Sequence, residues 1–468
     1  MKQNSAILAM ISQGLNVAFG LILIPIFTFQ LNDYYLGMWF IFFTASALNQ
    51  ILEIGFMPNL ARSIAYVLGG ANEINKEGLP KNVNSRYKVN RKLLCTIICA
   101  SRRIYTWVTI ISCMIMYVVG SFYIYTLYDA DKSISFSYDM LSYLVFISAS
   151  ILNLYFNYSN SVILGFGDVD ENNKTIAFSK VLTIIFCTLG SFFGLLGISF
   201  CYLFSVLISR MYCVWVYKQV LRKNELYKSD FTLIEIKEIK EVILTVRYNS
   251  IKIGLSQVSA FLIVRFNIFV AASVFGVAES SSFSLMISIL STLSSISSVF
   301  LNIDLQNISY IQVKNNKLEL IDRMGKRIVQ SLTCYVFVFL VFHFVGRDIL
   351  QIISNDSILP ETNILLFAYM VFFLELNHVL SATCITTYNK VPFVKSGIIS
   401  GVVIAILSII LSNQAGLMGL VLSQFIVQIM YNNWKWPRVL SNLLGLRYRK
   451  LILIGLLSLI NDFKCRRV

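Results

Sequence analysis

Apolar runs of about 20 residues, each long enough to cross the roughly 30 Å hydrocarbon core of a bilayer as a helix, recur about twelve times along this chain. They lie near residues 6–29, 36–58, 104–127, 140–164, 175–193, 197–217, 249–275, 281–303, 328–346, 362–387, 394–412 and 416–436. No other feature limits the fold as much. Inside hydrocarbon every backbone N–H and C=O must find a partner within the protein, and for separate runs of this length the answer is a helix. A mean hydropathy of +0.71 cannot be spread over a water-facing surface without aggregation. Only 13% of the residues are charged, where soluble domains carry about 25%. The expected fold is therefore an all-α polytopic membrane protein with about 12 transmembrane helices. The first run follows Lys2 as a signal peptide's would, but it is longer than a signal h-region and no A-x-A-like site follows it. It reads as the first span.

The net charge of +15 is unevenly placed. With the N-terminus inside, the inner loops hold eight Lys/Arg between residues 71 and 103, seven in 218–247, five in 314–327, and eight in the tail from Lys435. The outer loops hold Lys132 and Arg347. That asymmetry places both termini in the cytoplasm. It also accounts for the basic balance through orientation and anionic headgroups, so no nucleic acid partner is implied.

The long inner loop 218–247 separates an N-terminal six-helix bundle (1–217) from a C-terminal one (248–436), and a basic amphipathic tail (437–468) follows. Gly194-Leu195-Leu196-Gly197 parts spans five and six, and Gly416-Leu417-Met418-Gly419 parts eleven and twelve, 222 residues later. Two such halves are a transporter arrangement with the ligand between them, although two short glycine turns also match by chance. In the tail, residues 451–460 (LILIGLLSLI), flanked by basic residues, read as a helix lying on the inner leaflet.

Polar residues within the spans are the candidates for function, because a charge or amide at membrane depth needs a partner, water or a task. In span seven Arg247, Ser250, Gly254, Gln257 and Arg265 share one face, the two arginines being separated by about 27 Å of rise. Lys252 lies off that face and close enough to the inner surface to snorkel. Arg265 either reaches the outer interface or faces a hydrated cavity. Span one carries Gln13 and Asn16; span four carries Asn153, Asn157 and Asn160. Span eight has a serine stripe, which suits close helix packing as well as it suits a polar wall. The acids are Glu53 in span two, Asp304 at the inner end of span eight, and Glu375, which shares a face of span ten with His378 at i, i+3. A Glu-x-x-His pair holds di-iron only with a second such pair and further glutamates, which the chain lacks. A proton relay or a structural polar cluster remains.

Several polar faces imply a water-filled, electropositive interior in which Arg62, Arg247, Lys252 and Arg265 outnumber the acids of spans two and seven. Arginine forks suit phosphate. Pro58 is expected to break span two and turn Arg62 into the inner mouth, with Glu53 as its partner or as a coupling acid. The nine cysteines are scattered and mostly within spans; with two histidines in the chain they form no recognisable zinc site and read as small apolar fillers or reduced thiols. Neither a metal nor a cofactor is expected.

The stretch GMWFIFFTASALNQILEIGFMPNLARSIAYVLGGA (37–71), with Gly55, Phe56, Pro58, Arg62 and Tyr66, resembles the second-span signature of O-antigen repeat-unit flippases of the Wzx type. YNNWKWPRVL (431–440) is similar to that family's terminal asparagine–tryptophan–proline element. The resemblance implies a member of the multidrug/oligosaccharidyl-lipid/polysaccharide exporter superfamily, built as two MATE-like six-helix bundles in the bacterial inner membrane. It implies alternating access and a substrate of undecaprenyl pyrophosphate carrying an oligosaccharide. On that reading Arg62, Arg247, Lys252 and Arg265 hold the pyrophosphate, and Asn16, Asn153, Asn157 and Gln257 line the glycan path. Glu53, Asp304, Glu375 and His378 couple transport to H+ or Na+. A polysaccharide polymerase and a chain-length regulator are the implied protein partners.

Two other readings follow from the same residues. A multidrug exporter of that superfamily favours cationic substrates and should place acids in its cavity. A membrane glycosyltransferase or polymerase would need a catalytic loop. Tyr128-Asp129-Ala130-Asp131 offers a D-x-D pattern for it, but in an outer loop too short to form a catalytic domain.

Overall fold

The computed structural model describes residue 15 and residues 22–53, 55–74, 89–129, 133–232, 234–313, 316–353, 359–388 and 392–465. Every regular element longer than a single bridge among them is helical, and nine helices are long and apolar enough to cross a membrane. One of these, Val394–Leu444, spans 51 residues and serves as two passes, because its backbone leaves helical geometry at Ala415 and Gly416. Large apolar side chains that face outward from α3 (Arg91–Met114), among them Trp107 and Met114, are exposed in the isolated chain, as lipid-facing positions should be.

The chain divides into two compact units, Met1–Phe261 and Leu262–Val468. In the first, α1 (Asp33–Leu52) opens on an N-cap in which Asn32 Oδ1 accepts the Tyr35 amide at 2.9 Å. It is followed by α2 (Phe56–Leu68). The break between them falls at Glu53–Gly55, where Gly55 takes φ +61°, a left-handed conformation that glycine adopts without a Cβ penalty. Pro58 lies in the first turn of α2, where its missing N–H costs no hydrogen bond. So the break expected at Pro58 lies a few residues earlier, and the proline starts the new helix.

A second interruption, at Phe156, separates α4 (Phe136–Tyr155) from α5 (Asn157–Gly165). Helices α2 and α5 pack together so closely that a Cβ on Gly165 would lie 2.7 Å from Ile64 Cβ. Helices α6 (Val169–Ser191) and α7 (Gly194–Lys223) form a tight hairpin that turns at Gly194, φ +70°. An aromatic core ties α1, α4 and α7: Phe146 stacks on Tyr202 at 4.7 Å and meets Trp39 edge-on at 5.2 Å. At one end of the unit, Leu60, Ile64, Ile98 and Val162 pack with Val242 and Val246 of α8 (Ile236–Val264).

In the second unit, α9 (Phe266–Phe275) continues α8 beyond a break at Arg265. Then come α10 (Val277–Val313), α11 (Lys317–Val341), α12 (Thr362–Thr386) and α13 (Val394–Val427). π-Helical turns follow α11 (Phe342–Gly346) and α13 (Gln428–Asn432), the latter leading into α14 (Asn433–Leu444). In the serine stripe of span eight, Ser295 Oγ donates to the Ser291 carbonyl at 2.8 Å and Ser298 Oγ to the Ser295 carbonyl at 2.9 Å. The tail helix α15 (Tyr448–Cys465) packs along α11. Their backbones meet at glycines: a Cβ on Gly325 would lie 2.6 Å from the Leu451 carbonyl oxygen, and one on Gly455 would run into the carbonyl group of Gly325. The expected surface helix thus has a docking partner within the protein.

Candidate functional site

Both helix breaks of the first unit present polar side chains to its interior. Glu53, at the end of α1, accepts a short hydrogen bond from the Tyr105 hydroxyl of α3, and its other oxygen accepts from Asn157 Nδ2 at 3.4 Å. Asn157 opens α5, and its Oδ1 lies 3.5 Å from Asn160 Nδ2. The asparagine stripe of span four therefore runs across the Phe156 break, and α7 meets it along its length. Arg210 donates from Nε to Asn153 Oδ1 at 2.7 Å, and Cys213 Sγ donates to Asn160 Oδ1 at 2.9 Å. Glu53 feels the Arg210 charge. Lys180, from α6, is close enough to Arg210 for their like charges to interact.

The result is a partly exposed polar cluster in which Lys180 and Arg210 lie near Glu53, while Asp139, the buried acid at the other end of α4, is bound by the Tyr34 hydroxyl. Arg210 is planar and forked, and with Nε committed to Asn153 its terminal nitrogens are aimed by the protein, a geometry suited to phosphate oxygens. Sequence reasoning passed over Lys180 and Arg210, although both are charges within apolar runs (175–193 and 197–217), the same signal that singled out Glu53 and Arg265. Asn49 is a contrasting case: it accepts from Ser112 Oγ at 2.6 Å and donates to Ser150 Oγ at 2.7 Å, a buried and mutually satisfied trio that reads as structural.

The other predicted residues fall in different surroundings. Arg62 and Arg247 are exposed, as is Gln257. Glu53, expected either to pair with Arg62 or to act as a coupling acid, is met by Tyr105 and Asn157. Ser250 of the span-seven face is buried and accepts from Asn59 Nδ2 at 2.9 Å. Lys252 lies on α8 with its side chain outside the described residues, as does all of Asn16, and Asp131 of the D-x-D pattern is likewise outside them.

In the second unit Arg265 caps α9 at the helix break and is partly exposed. The carbonyl of Ile263 at that break accepts from Gln424 Nε2 at 2.5 Å, which satisfies a group that a broken helix would otherwise leave bare in hydrocarbon. Asn267 is held by Ser408 Oγ at 2.7 Å and donates to the Leu420 carbonyl at 3.2 Å. Asp304, expected to be a coupling acid, is buried under two arginines of α11. Arg323 contacts both its oxygens at 2.7 and 3.0 Å, Arg327 Nε donates at 2.8 Å, and Asn307 Nδ2 donates at 2.7 Å. Four donors on one carboxylate make it a clamp between α10 and α11, because an acid so engaged has no lone pair left for a travelling ion. Glu375 and His378 lie about one turn apart on α12, and His378 is close to Gln428. Among the described residues no three His, Cys, Asp or Glu side chains gather into a metal-binding group. The terminal Asn–Trp–Pro element anchors this region: Asn433 donates to the Leu374 carbonyl at 2.9 Å and accepts from Asn377 Nδ2 at 3.0 Å, while Trp436 is buried against Phe393.

No protein-family model matches the chain, and neither does a curated protein sequence. Solved structures do match in fold. A multidrug resistance MATE family transporter of the MOP superfamily, in an inward-facing conformation, superposes with a TM-score of 0.66 at 15% identity, covering 92% of this chain and 95% of that one. The lipid II flippase MurJ, in an inward closed conformation, gives 0.59 at 13% identity over 97% of this chain and 90% of its own. A MATE transporter of Vibrio cholerae gives 0.56 at 11% identity over 94% and 96%. The chain has the MATE-like fold of these MOP superfamily proteins.

Proposed function

We propose that this protein is a flippase that carries a glycan linked to undecaprenyl pyrophosphate from the cytoplasmic to the periplasmic leaflet of a bacterial inner membrane, by alternating access. The observation that carries the reading is the excess of cations in the interior of the first unit, where Arg210 and Lys180 stand against Glu53. A charge at that depth is retained only for a task, and an anionic headgroup is the ligand that two such cations recognise. The asparagines Asn153 and Asn157 beside them offer amides to sugar hydroxyls, with Asn16 and Gln257 extending the glycan path. Arg62, Arg247, Lys252 and Arg265 are the further cations for the pyrophosphate. Glu53, Glu375 and His378 are the candidates for coupling to H+ or Na+, and Asp304 is assigned to the clamp.

The neighbouring MurJ is a lipid II flippase by name, which supports a lipid-linked substrate. The likeness to multidrug transporters supports a second reading as a drug exporter, but a cationic drug would be repelled by Arg210 and Lys180. An enzymatic role as glycosyltransferase or polymerase rests on the D-x-D pattern at 129–131, in an outer loop too short to form a catalytic domain. The O-antigen character of the glycan, and an assembly with a polymerase and a chain-length regulator, rest on the motifs at 37–71 and 431–440.

The test is complementation of a flippase-null strain with this gene and its Arg210→Ala variant, with analysis of lipid-linked intermediates. Restoration of surface polysaccharide by the wild type, and accumulation of the lipid-linked repeat unit in the variant, is the expected result. Equal export by both would overturn the assignment of the site.

A further inference from the structure

One side of the tail helix α15 is committed to the second unit. Tyr448 donates its hydroxyl to Asn377 Oδ1 of α12 at 2.7 Å, Leu451 is fully buried, Gly455 meets Gly325 of α11, and Ser458 Oγ donates to Asp322 Oδ2 at 3.3 Å. At about 100° per residue these four positions fall on a single side of the helix. The opposite side is apolar and uncovered. Leu453, Leu457 and Ile460 lie within about 60° of one another and point away from Gly455. All three are exposed, Leu453 at 58% and Leu457 at 60%, and exposed Leu456 borders them.

The same outward side is cationic where the helix begins. Arg449 and Lys450, both exposed, flank it one turn before Leu453. Exposed Arg447 precedes them. Lys317, at the start of α11, brings its ammonium to the turn ahead of α15, where a Cβ on Gly445 would lie 2.9 Å from Nζ. The sequence has no acid from Arg447 to Asn461, and Asp322 approaches α15 from the docked side, through Ser458. Among the described residues α15 is not one of the helices long and apolar enough to cross a membrane. It crosses α11 at Gly325, within the basic segment 314–327 that the charge asymmetry places on the inner side.

We propose that the outward side of α15 is a docking surface for anionic phospholipids of the inner leaflet. Acyl chains cover Leu453, Leu457 and Ile460, and phosphate headgroups meet Arg449 and Lys450, with Lys317 and Arg447 beside them. An apolar stripe bordered by basic residues is the pattern of a helix lying at the boundary between headgroups and acyl chains. Each Lys or Arg close to an anionic leaflet strengthens the contact by a factor of about five. Four half-exposed aliphatic side chains fall well short of the roughly 800 Å² per partner of a stable protein interface, so a lipid surface fits the stripe better than a protein does. Glycine contact with α11 on one side and lipid on the other then hold α15 together. The inference stands apart from the flippase reading, because it concerns lipid held at the surface of the second unit and not the cargo.

The test uses the full chain in phosphatidylcholine nanodiscs with a rising fraction of phosphatidylglycerol whose acyl chains are brominated. Leu457→Trp places an indole on the outward side, and its emission is read as the difference from the wild type, whose five tryptophans are common to both. Quenching at a small fraction of phosphatidylglycerol is expected, and brominated phosphatidylcholine at the same fraction should quench less. Arg449→Gln together with Lys450→Gln should raise the fraction needed for half-quenching by about fivefold or more. Soluble glycerol phosphate should not reverse the effect; reversal would identify a free-phosphate site and overturn the lipid assignment. If Leu457→Trp does not fold, Leu453→Trp reads the same side. No quenching would mean that protein covers the stripe, a second copy or another chain, and would overturn the proposal. So would equal quenching by the two brominated lipids, or a half-quenching fraction unmoved by loss of the two cations.

Discussion

Arg210 and Asn153, 57 residues apart in the chain, meet through Nε and Oδ1 at 2.7 Å. One amide thereby fixes the plane of a guanidinium at membrane depth, and the side of the fork that remains is directed by the fold and not by solvent.

Charge alone does not describe that arrangement. Arg210→Lys keeps the charge and loses the fork, so export of surface polysaccharide should fall between wild type and Arg210→Ala. A charge-assisted contact of about 1.5–3 kcal/mol corresponds to roughly 10- to 100-fold in the alanine variant. Asn153→Ala should cost less, because the guanidinium is kept but loses its orientation. Accumulated lipid-linked intermediates, quantified at equal protein levels, check the ranking.

Tyr105→Phe removes one of the donors to Glu53 and leaves its carboxylate to Asn157. One oxygen of the acid then lacks a partner, at a cost of about 1–3 kcal/mol. A lower thermal unfolding midpoint in detergent is expected, and Tyr105→Phe combined with Glu53→Gln should recover part of it. No recovery in the double variant would show that the pair is not coupled.

Asp304→Asn separates a clamp from a coupling acid. As a clamp, Asp304 is 3% exposed beneath Arg323 and Arg327; removing its charge leaves two guanidiniums crowded together and should cost about 3 kcal/mol. Thermal stability should drop even without any ion gradient. A variant of unchanged stability that had lost transport would instead restore Asp304 to the coupling role.

Gly325→Val should detach α15 from α11. Its side chain has nowhere to go against the Leu451 carbonyl, at 2.6 Å from the Cβ position, and overpacking of this kind costs about 1–3 kcal/mol. Limited proteolysis should then cleave the linker near Leu446–Arg447 faster than in the wild type. Equal protection in both proteins would return the tail to the membrane surface.

The sequence was sufficient for the existence and type of most elements, because a run of apolar residues long enough to span hydrocarbon has one backbone solution. The hairpin at Gly194 and the reversal at Gly416 were legible for the same reason: glycine pairs interrupt runs too long for a single pass. The break in span two was legible in kind through Pro58, while its position at Gly55 depended on a left-handed residue that no periodicity reveals.

What a polar side chain inside a span does was decided by tertiary structure. Asp304 and Glu53 look alike in the sequence, each an acid within an apolar run, yet one is clamped by Arg323 and Arg327 and the other is held by Tyr105 and Asn157. Arg210 gained its candidate role from Asn153, and Gly325 its constraint from Gly455, each across many tens of residues. Hydrophobicity is a property of a segment and can be read along the chain. Hydrogen-bond satisfaction is a property of pairs, and the pairs exist only once the helices have packed.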